Sequence, residues 1–126
     1  MSARILVVED EALIAEEIQE RLSRLNFHVV GIADTGEEAV AAARRASPDV
    51  VLMDIRLKAR MDGIEAADLI RRDLGVPVIY LTAHSDRTTL QRAKATAPFG
   101  YVLKPFQELD LLMAIEMAAN RHALEQ

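Results

Sequence analysis

Residues 50–54 read Val50-Val51-Leu52-Met53-Asp54, a short apolar run that ends on a carboxylate. Similar apolar runs, rich in β-branched residues, occur at residues 5–8, 29–32, 78–81 and 101–103. Continuous rather than alternating apolar runs are typical of strands that are buried on both faces of a parallel sheet. The sequence therefore predicts five strands of a buried parallel sheet.

The segments between these runs have helical patterns. One apolar stripe follows the spacing of a helix face at residues 14, 18, 22 and 25. Capping-box patterns at residues 35–38 and 62–65 indicate helix starts. Helix ends are indicated by Pro48, by Gly75 with Pro77, and by Pro98. This alternation predicts five strands and five helices in a doubly wound α/β sandwich.

Composition excludes several classes of protein. The 126 residues are 51% hydrophobic and 28% charged, an ordinary globular balance for one domain, expected over residues 1–126. The absence of cysteine excludes disulfides and thiolate sites and agrees with a cytoplasmic location. The net charge of −5 argues against direct nucleic-acid binding. The apolar run at residues 5–8 is too short for a signal peptide or a membrane span.

Polar residues follow four of the five predicted strands. In open parallel sheets, sites form beyond the carboxyl ends of the strands. The residues at these ends are Glu9 and Asp10 after strand 1, Asp54 after strand 3, Thr82 after strand 4 and Lys104 after strand 5. The sequence thus places carboxylates, a hydroxyl and an amine at one edge of the sheet.

These groups together suit phosphoryl transfer. Crowded carboxylates repel one another unless a cation intervenes, and Mg²⁺ binds carboxylates together with a phosphate. An amine and a hydroxyl complete the set of groups used in that chemistry. Each residue also has an ordinary interpretation: Asp10 as a helix N-cap, Thr82 as a strand-end residue and Lys104 as a solvated lysine.

With these motifs, the chain resembles the receiver domains of response regulators in two-component signalling, over essentially its whole length. The matching elements are Val7-Val8-Glu9-Asp10, Leu52-Met53-Asp54, Met61-Asp62-Gly63, Leu81-Thr82-Ala83 and Lys104-Pro105. The resemblance implies a flavodoxin-like sheet of strand order 2-1-3-4-5. It also implies a phosphoacceptor in a phosphorelay, with a histidine kinase or a phosphotransfer protein as the donor.

The resemblance implies a role for each site residue. Asp54 accepts the phosphoryl group and Lys104 pairs with a phosphoryl oxygen, while the Thr82 hydroxyl and the Ala83 amide bind the other oxygens. Tyr101 follows Thr82 in a conformational switch; its alternative role is that of a strand residue facing solvent. The implied Mg²⁺ ligands are Asp10, Asp54, the carbonyl of Arg56 and, through water, Glu9.

Two departures from the family pattern affect the loops. The loop between Asp54 and Asp62 is one residue longer than is common, with Lys58 where a proline is usual. Arg56 and His84 stand where relatives vary residues that tune hydrolysis of the acyl phosphate. His84 is otherwise interpreted as an exposed loop histidine.

Other functions fit the residues less well. A haloacid-dehalogenase-type phosphatase needs a second aspartate where Arg56 stands. A nucleotide-binding domain needs a glycine-rich loop after strand 1, where the acidic residues 9–11 stand instead, and an FMN-binding protein needs Ser, Thr and Gly there. The remaining alternative is an interaction module that signals without phosphate turnover. No output domain fits within this length, so a stand-alone receiver and one from a larger sensor kinase or effector both stay open.

The C-terminal helix, expected over about residues 107–126, has two apolar sides. Residues 111, 112, 115, 118 and 119 are expected to pack on the sheet. The opposite stripe contains Leu109, Met113, Met117 and Leu124. We interpret it as a partner surface, for a homodimer or for a helix continuing into a linker. Scattered exposure with a frayed terminus is the alternative.

Overall fold

The computed structural model describes residues 3–55, 63–83 and 87–124. Five strands alternate with five helices in this part of the chain: β1 Arg4–Val8, α1 Ala12–Arg24, β2 His28–Ala33, α2 Gly36–Ala46, β3 Val50–Asp54, α3 Gly63–Leu74, β4 Val78–Thr82, α4 Arg87–Lys94, β5 Gly100–Leu103 and α5 Glu108–Leu124. The strands form one parallel sheet of order β2-β1-β3-β4-β5. The predicted fold class and strand order are confirmed.

The three central strands are buried on both faces, whereas the edge strands are not. Every residue of β3 and β4 is buried, and so are residues 5–8 of β1. In β2 only Ala33 is buried, and in β5 only Val102. The expectation of full burial is therefore wrong for these two strands. An edge strand has a neighbour on one side only, so the flanking helices cover less of it.

Successive strand residues point to opposite faces and build two cores. One core joins Leu6, Val8, Val51 and Met53 to α2 and α3. The other joins Ile5, Val7, Val50 and Leu52 to α1 and α5. Ile18 and Leu22 of α1 are buried in this second core, and Ile14 and Leu25 pack against it partly buried, which confirms the predicted stripe.

Helix boundaries follow the predicted capping and stop residues. The Thr35 hydroxyl accepts a hydrogen bond of 3.0 Å from the Glu38 amide at the start of α2. Gly75, just after α3, has a φ of 68°, a conformation that glycine adopts without strain. The N-cap of α1 is Glu11, so the N-cap interpretation of Asp10 is wrong. The first residue of the second capping box, Asp62, lies outside the described residues.

Two consecutive arginines lie in the last turn of α2, and two more lie in the last turn of α3. Their positive charges are close to the negative ends of the helix dipoles. Arg44 pairs with Asp73 at 3.6 Å, and Arg72 pairs with Asp68 at 3.1 Å. These contacts give the arginine pairs a structural role. Among the described helices, none combines the length and the apolar character needed to cross a membrane.

Candidate phosphoacceptor site

The carboxyl ends of β1, β3, β4 and β5 bring the predicted polar residues to one edge of the sheet. Asp54 of β3 lies beside Leu81 in the parallel register, and Thr82 of β4 lies beside Leu103. The Lys104 amide donates a 2.7 Å hydrogen bond to the Thr82 carbonyl, which extends the pairing by one residue. Backbone pairing therefore places Asp54, Thr82 and Lys104 on adjacent strand ends.

Three carboxylates meet at this edge. Oxygen atoms of Glu9, Asp10 and Asp54 all lie within 4.8 Å of one another. Glu9 is 2% exposed and Asp54 is 6% exposed, while Asp10 is half-buried. Such a cluster of oxygen ligands, open to solvent on the Asp10 side, is able to hold a metal ion.

Glu9 has the most perturbed electrostatics at the site. Burial, then a hydrogen bond and charge repulsion from Asp54, raise its pKa to about 8, with a smaller contribution from Asp10. The nearby Lys104 ammonium acts in the opposite direction on this pKa. The raised pKa favours the protonated form of Glu9 in the metal-free site, where its hydrogen bond to Asp54 relieves the repulsion between the two carboxyls.

One carboxyl oxygen of Glu9, Oε2, is buried without a hydrogen-bond partner among the described residues. A buried acceptor without a partner is costly, and it is commonly satisfied by water or an ion. A divalent cation, bound directly or through its water, fits this requirement. The donor set of hard oxygen atoms suits a hard divalent cation such as magnesium.

Lys104 faces the cluster from the β5 side. Its Nζ lies 3.7 Å from Oδ1 of Asp54, and its side chain is 30% exposed. The ammonium is thus close enough to compensate part of the negative charge and accessible enough to meet an incoming anion.

The backbone around Asp54 and Thr82 is tightly packed. A Cβ atom at Gly63 would collide with the carbonyl oxygen of Asp54, so only glycine lets α3 begin this close to β3. Thr82 is buried, and its hydroxyl donates to the Ala83 carbonyl at 3.3 Å. Ala83 itself is half-buried. Gly63 therefore allows close packing of α3 against the backbone of Asp54.

Tyr101 lies on β5 opposite Tyr80 of β4, and the two rings stack. Tyr101 is 38% exposed, whereas Tyr80 is fully buried. The Tyr80 hydroxyl bonds the Thr96 hydroxyl at 2.9 Å, and the Thr96 hydroxyl donates to the Ala93 carbonyl at 2.7 Å. Because threonine has one hydroxyl proton, Tyr80 is the donor to Thr96.

Several predicted positions lie outside the described residues. Arg56, with its implied carbonyl ligand, and His84 belong to this group. Lys58, Met61 and Asp62 of the loop before α3 belong to it as well.

The outer face of α5 is exposed and apolar. Leu109 is 62% exposed, Met113 is 52% and Met117 is 59%, while Leu111, Ile115 and Ala118 pack on the sheet. Leu112 and Ala119 of the predicted inner side are only half-buried. Leu103 and Tyr101 of the adjacent β5 add further exposed apolar surface.

Two features were not anticipated from sequence. The Tyr80–Thr96 pair is one, although a tyrosine within a buried apolar run signals that its hydroxyl needs a partner. The other is His122, which is buried near the end of α5 beside Ala118. No local pattern distinguishes a buried histidine at a helix end from an exposed one.

Comparisons with known proteins agree with this geometry. Residues 5–116 match the model of the response regulator receiver domain family. The chain is 42% identical over 118 residues to the transcriptional regulatory protein PdtaR of Mycobacterium tuberculosis, covering 94% of this chain and 57% of that protein. It is 34% identical over 122 residues to the DNA-binding response regulator MtrA of Mycobacterium leprae, covering 97% of this chain and 53% of that protein.

A solved structure resembles the whole chain. The signal receiver domain of a modulated diguanylate cyclase from Desulfovibrio desulfuricans superposes with a TM-score of 0.93 at 39% identity, covering 100% of both chains. This chain spans about half the length of the curated relatives that it matches. The chain belongs to the response regulator receiver domain family of two-component systems, as the family match, the sequence identities and the shared fold show.

Proposed function

We propose that this receiver domain is a phosphoacceptor whose nucleophile is Asp54. The observation that carries the proposal is the position of this carboxylate: it is 6% exposed, lies within the acidic cluster, and has Lys104 Nζ 3.7 Å away. A buried carboxylate between further acidic groups and an amine matches the requirements of phosphoryl transfer, in which positioning and electrostatics supply most of the catalysis.

In the proposed reaction, an Asp54 oxygen bonds to phosphorus while the phosphorus–nitrogen bond of a phosphohistidine breaks. The leaving imidazole nitrogen keeps the electron pair of that bond, and the product is an acyl phosphate on Asp54. Lys104 binds a phosphoryl oxygen and compensates its charge. Thr82 and the Ala83 amide bind the others. The chain in this proposal catalyses only its own phosphorylation and dephosphorylation and acts on no separate substrate.

Asp10, Asp54 and the carbonyl of Arg56 would hold Mg²⁺ directly, and Glu9 would hold it through water. When bound, Mg²⁺ supplies positive charge that offsets the charge of the phosphoryl oxygens. The unsatisfied Glu9 Oε2 supports this assignment. Protonated Glu9 keeps the repulsion low in the metal-free protein, and it loses its proton more easily once a cation is present.

The proposed output is a change of conformation. The Thr82 hydroxyl moves toward the phosphoryl group and the Tyr101 ring follows it, which alters the exposed face of β5 and α5. Arg56 and His84 are proposed to set how fast water hydrolyses the acyl phosphate. Residues 1–126 are proposed to form a single receiver domain, with α5 either pairing two copies or continuing into a linker.

The proposed partners are a histidine kinase or a phosphotransfer protein, and the proposed location is the cytoplasm. Direct binding of this domain to nucleic acid or to membranes is not part of the proposal, since the sequence has a net charge of −5.

Intact-mass spectrometry tests the assignment of Asp54. Incubation with acetyl phosphate and Mg²⁺ is expected to add one phosphoryl mass to the wild type and none to Asp54→Asn. Asp34→Asn is the matched control, because Asp34 follows β2 but is exposed and outside the cluster. Labelling of Asp54→Asn at the wild-type rate would place the chemistry on another residue. A wild type that is never labelled would favour an interaction module without phosphate turnover.

A further inference from the structure

The segment that follows Lys104 is attached to α1 by an arginine. Arg21 donates a 3.1 Å hydrogen bond through one guanidinium nitrogen to the carbonyl oxygen of Phe106. The guanidinium carbon also lies 5.3 Å from the centroid of the Phe106 ring, within the range of a cation–π contact. The other terminal nitrogen of the guanidinium donates a 3.0 Å hydrogen bond to Oε1 of Glu17. This contact orients the planar guanidinium group toward Phe106.

A second arginine holds the start of α5. Arg24 binds Oε1 of Glu108 through two of its nitrogens, at 2.7 and 3.2 Å. Arg21 and Arg24 are three residues apart and therefore lie on the same face of α1. We call Arg21, Arg24, Phe106 and Glu108 the α1–α5 clamp.

The clamp lies close in sequence to the lysine of the site. The Lys104 amide is bonded to the Thr82 carbonyl, and two residues later the Phe106 carbonyl is bonded to Arg21. Pro105 stands between them, and its ring fixes φ. The backbone of Lys104 is therefore held on both sides: by β4 before it and by α1 after it.

The same helix also follows the acidic pair directly. Glu9 and Asp10 end β1, and α1 begins at Ala12. One rigid helix thus connects the carboxylates at its amino end with the segment after Lys104 near its carboxyl end. Lysine has a long flexible side chain, so the region that its ammonium samples depends on how firmly its backbone is held.

We propose that Arg21 and Arg24 are positioning residues that hold Lys104 where its ammonium meets the phosphoryl group. This inference rests on the proposed function of Asp54 and Lys104. The Arg24–Glu108 pair is exposed, with side chains 55% and 41% accessible, so it contributes little to stability. Loss of the Arg24–Glu108 pair is therefore expected to affect the binding of a phosphoryl group more than folding.

The experiment compares wild type with the double variant Arg21→Gln, Arg24→Gln. Affinity for beryllofluoride, a stable phosphoryl mimic, is measured by fluorine NMR at saturating Mg²⁺. We expect it to fall roughly three- to tenfold, because a misplaced catalytic group loses part of its binding geometry. Affinity for Mg²⁺ alone, measured by calorimetry, is expected not to fall, since Lys104 is not a metal ligand and its ammonium competes with the cation for Asp54. Arg45→Gln is the control, an exposed arginine paired with Glu38 on α2.

A mutant cycle with Lys104→Ala separates positioning from general destabilisation. Labelling rates with acetyl phosphate are measured in both backgrounds. If the clamp acts through Lys104, the arginine substitutions slow labelling in the wild-type background and have no further effect in Lys104→Ala. An equal slowing in both backgrounds, or none in either, overturns the proposal.

A charge exchange provides a second, independent test. Arg24→Glu alone is expected to weaken beryllofluoride binding, and Arg24→Glu with Glu108→Arg is expected to restore it; no weakening, or no recovery, contradicts the role of Arg24. A wild type that binds no beryllofluoride, together with an unlabelled Asp54, overturns the proposed function and the clamp with it. Normal wild-type binding with unaffected clamp variants overturns the clamp alone.

Discussion

The ring of Tyr80 stacks on the ring of Tyr101, with 6.0 Å between their centroids and 24° between their planes. Tyr80 is buried and bonded to Thr96, just after α4, whereas Tyr101 reaches the exposed face of β5. The stack therefore connects the end of α4 with the surface that the proposed switch alters. Movement of Tyr101 toward Thr82 would change its overlap with Tyr80.

The tyrosine stack gives the proposed switch a spectroscopic signal. The chain has two tyrosines and no tryptophan, so its near-ultraviolet circular dichroism comes mainly from this pair. We expect beryllofluoride with Mg²⁺ to change the tyrosine band in wild type. In Tyr101→Leu the change is expected to disappear while beryllofluoride still binds. A wild-type band that stays the same at saturation would contradict a movement of Tyr101.

Mg²⁺ is expected to stabilise the protein through Asp10. Because crowded carboxylates destabilise the metal-free fold, millimolar Mg²⁺ should raise the melting temperature at pH 7. Asp10→Asn should lose this increase. Glu11→Gln is the matched control, since Glu11 is exposed and its side chain makes no cap hydrogen bond. An Mg²⁺ response retained in Asp10→Asn would remove Asp10 from the metal site.

The raised pKa of Glu9 predicts how stability depends on pH without metal. Between about pH 4.5 and 8, the folded state keeps a proton on Glu9 that the unfolded state releases. Stability due to this group is therefore highest below pH 4.5 and falls as pH rises to about 8, by at most roughly 1.4 kcal/mol per pH unit. Glu9→Gln should raise the free energy of unfolding at pH 8 by up to roughly 4 kcal/mol.

Urea denaturation at pH 5 and pH 8, with chelator present, checks this prediction for Glu9. The gain from Glu9→Gln should be small at pH 5 and large at pH 8. Glu16→Gln, at an exposed position of α1, serves as the control. An equal gain at both pH values would mean that the ionisation of Glu9 has no part in the effect.

Arg56 and His84 are expected to set the lifetime of the acyl phosphate. Replacing both by alanine should change the rate of autodephosphorylation several-fold, while Asp54 is still phosphorylated. The rate is followed by loss of the phosphoryl mass after the donor is removed. A decay rate equal to that of wild type would support the interpretation of His84 as an ordinary loop histidine.

The exposed stripe on α5 is expected to support self-association of the phosphorylated form. Burial of Leu109, Met113 and Met117 against a second copy would remove apolar surface from water. Beryllofluoride should therefore increase the mass measured by light scattering, and Met113→Glu with Met117→Glu should abolish the increase. Leu13→Glu is the control, because Leu13 is 81% exposed on α1. If the protein is a monomer both with and without beryllofluoride, pairing through α5 is excluded and only its role as a linker remains.

Much of the site was predictable because its residues end or follow strands of the parallel sheet. A continuous apolar run identifies such a strand, although it does not separate a central strand from an edge strand, and parallel strands carry the next residue to the same edge of the sheet. That reasoning places Asp54, Thr82 and Lys104 together without coordinates. The burial of each side chain was not predictable: Glu9 is 2% exposed, while its neighbour Asp10 is half-buried. Adjacent residues leave a strand in different directions, so which carboxylate loses its water depends on what packs around each of them in the folded chain.

By itself, the sequence of this protein determined the alternation of strands and helices and the chemistry at the strand ends, since periodicity and capping act over a few residues. The resemblance to receiver domains supplied the strand order. Tertiary structure alone decided the pairing of Arg24 with Glu108, 84 residues away, and of Tyr80 with Thr96. These contacts have no local pattern, because they depend on where two distant elements meet once the sheet has formed and the helices have packed on its two faces.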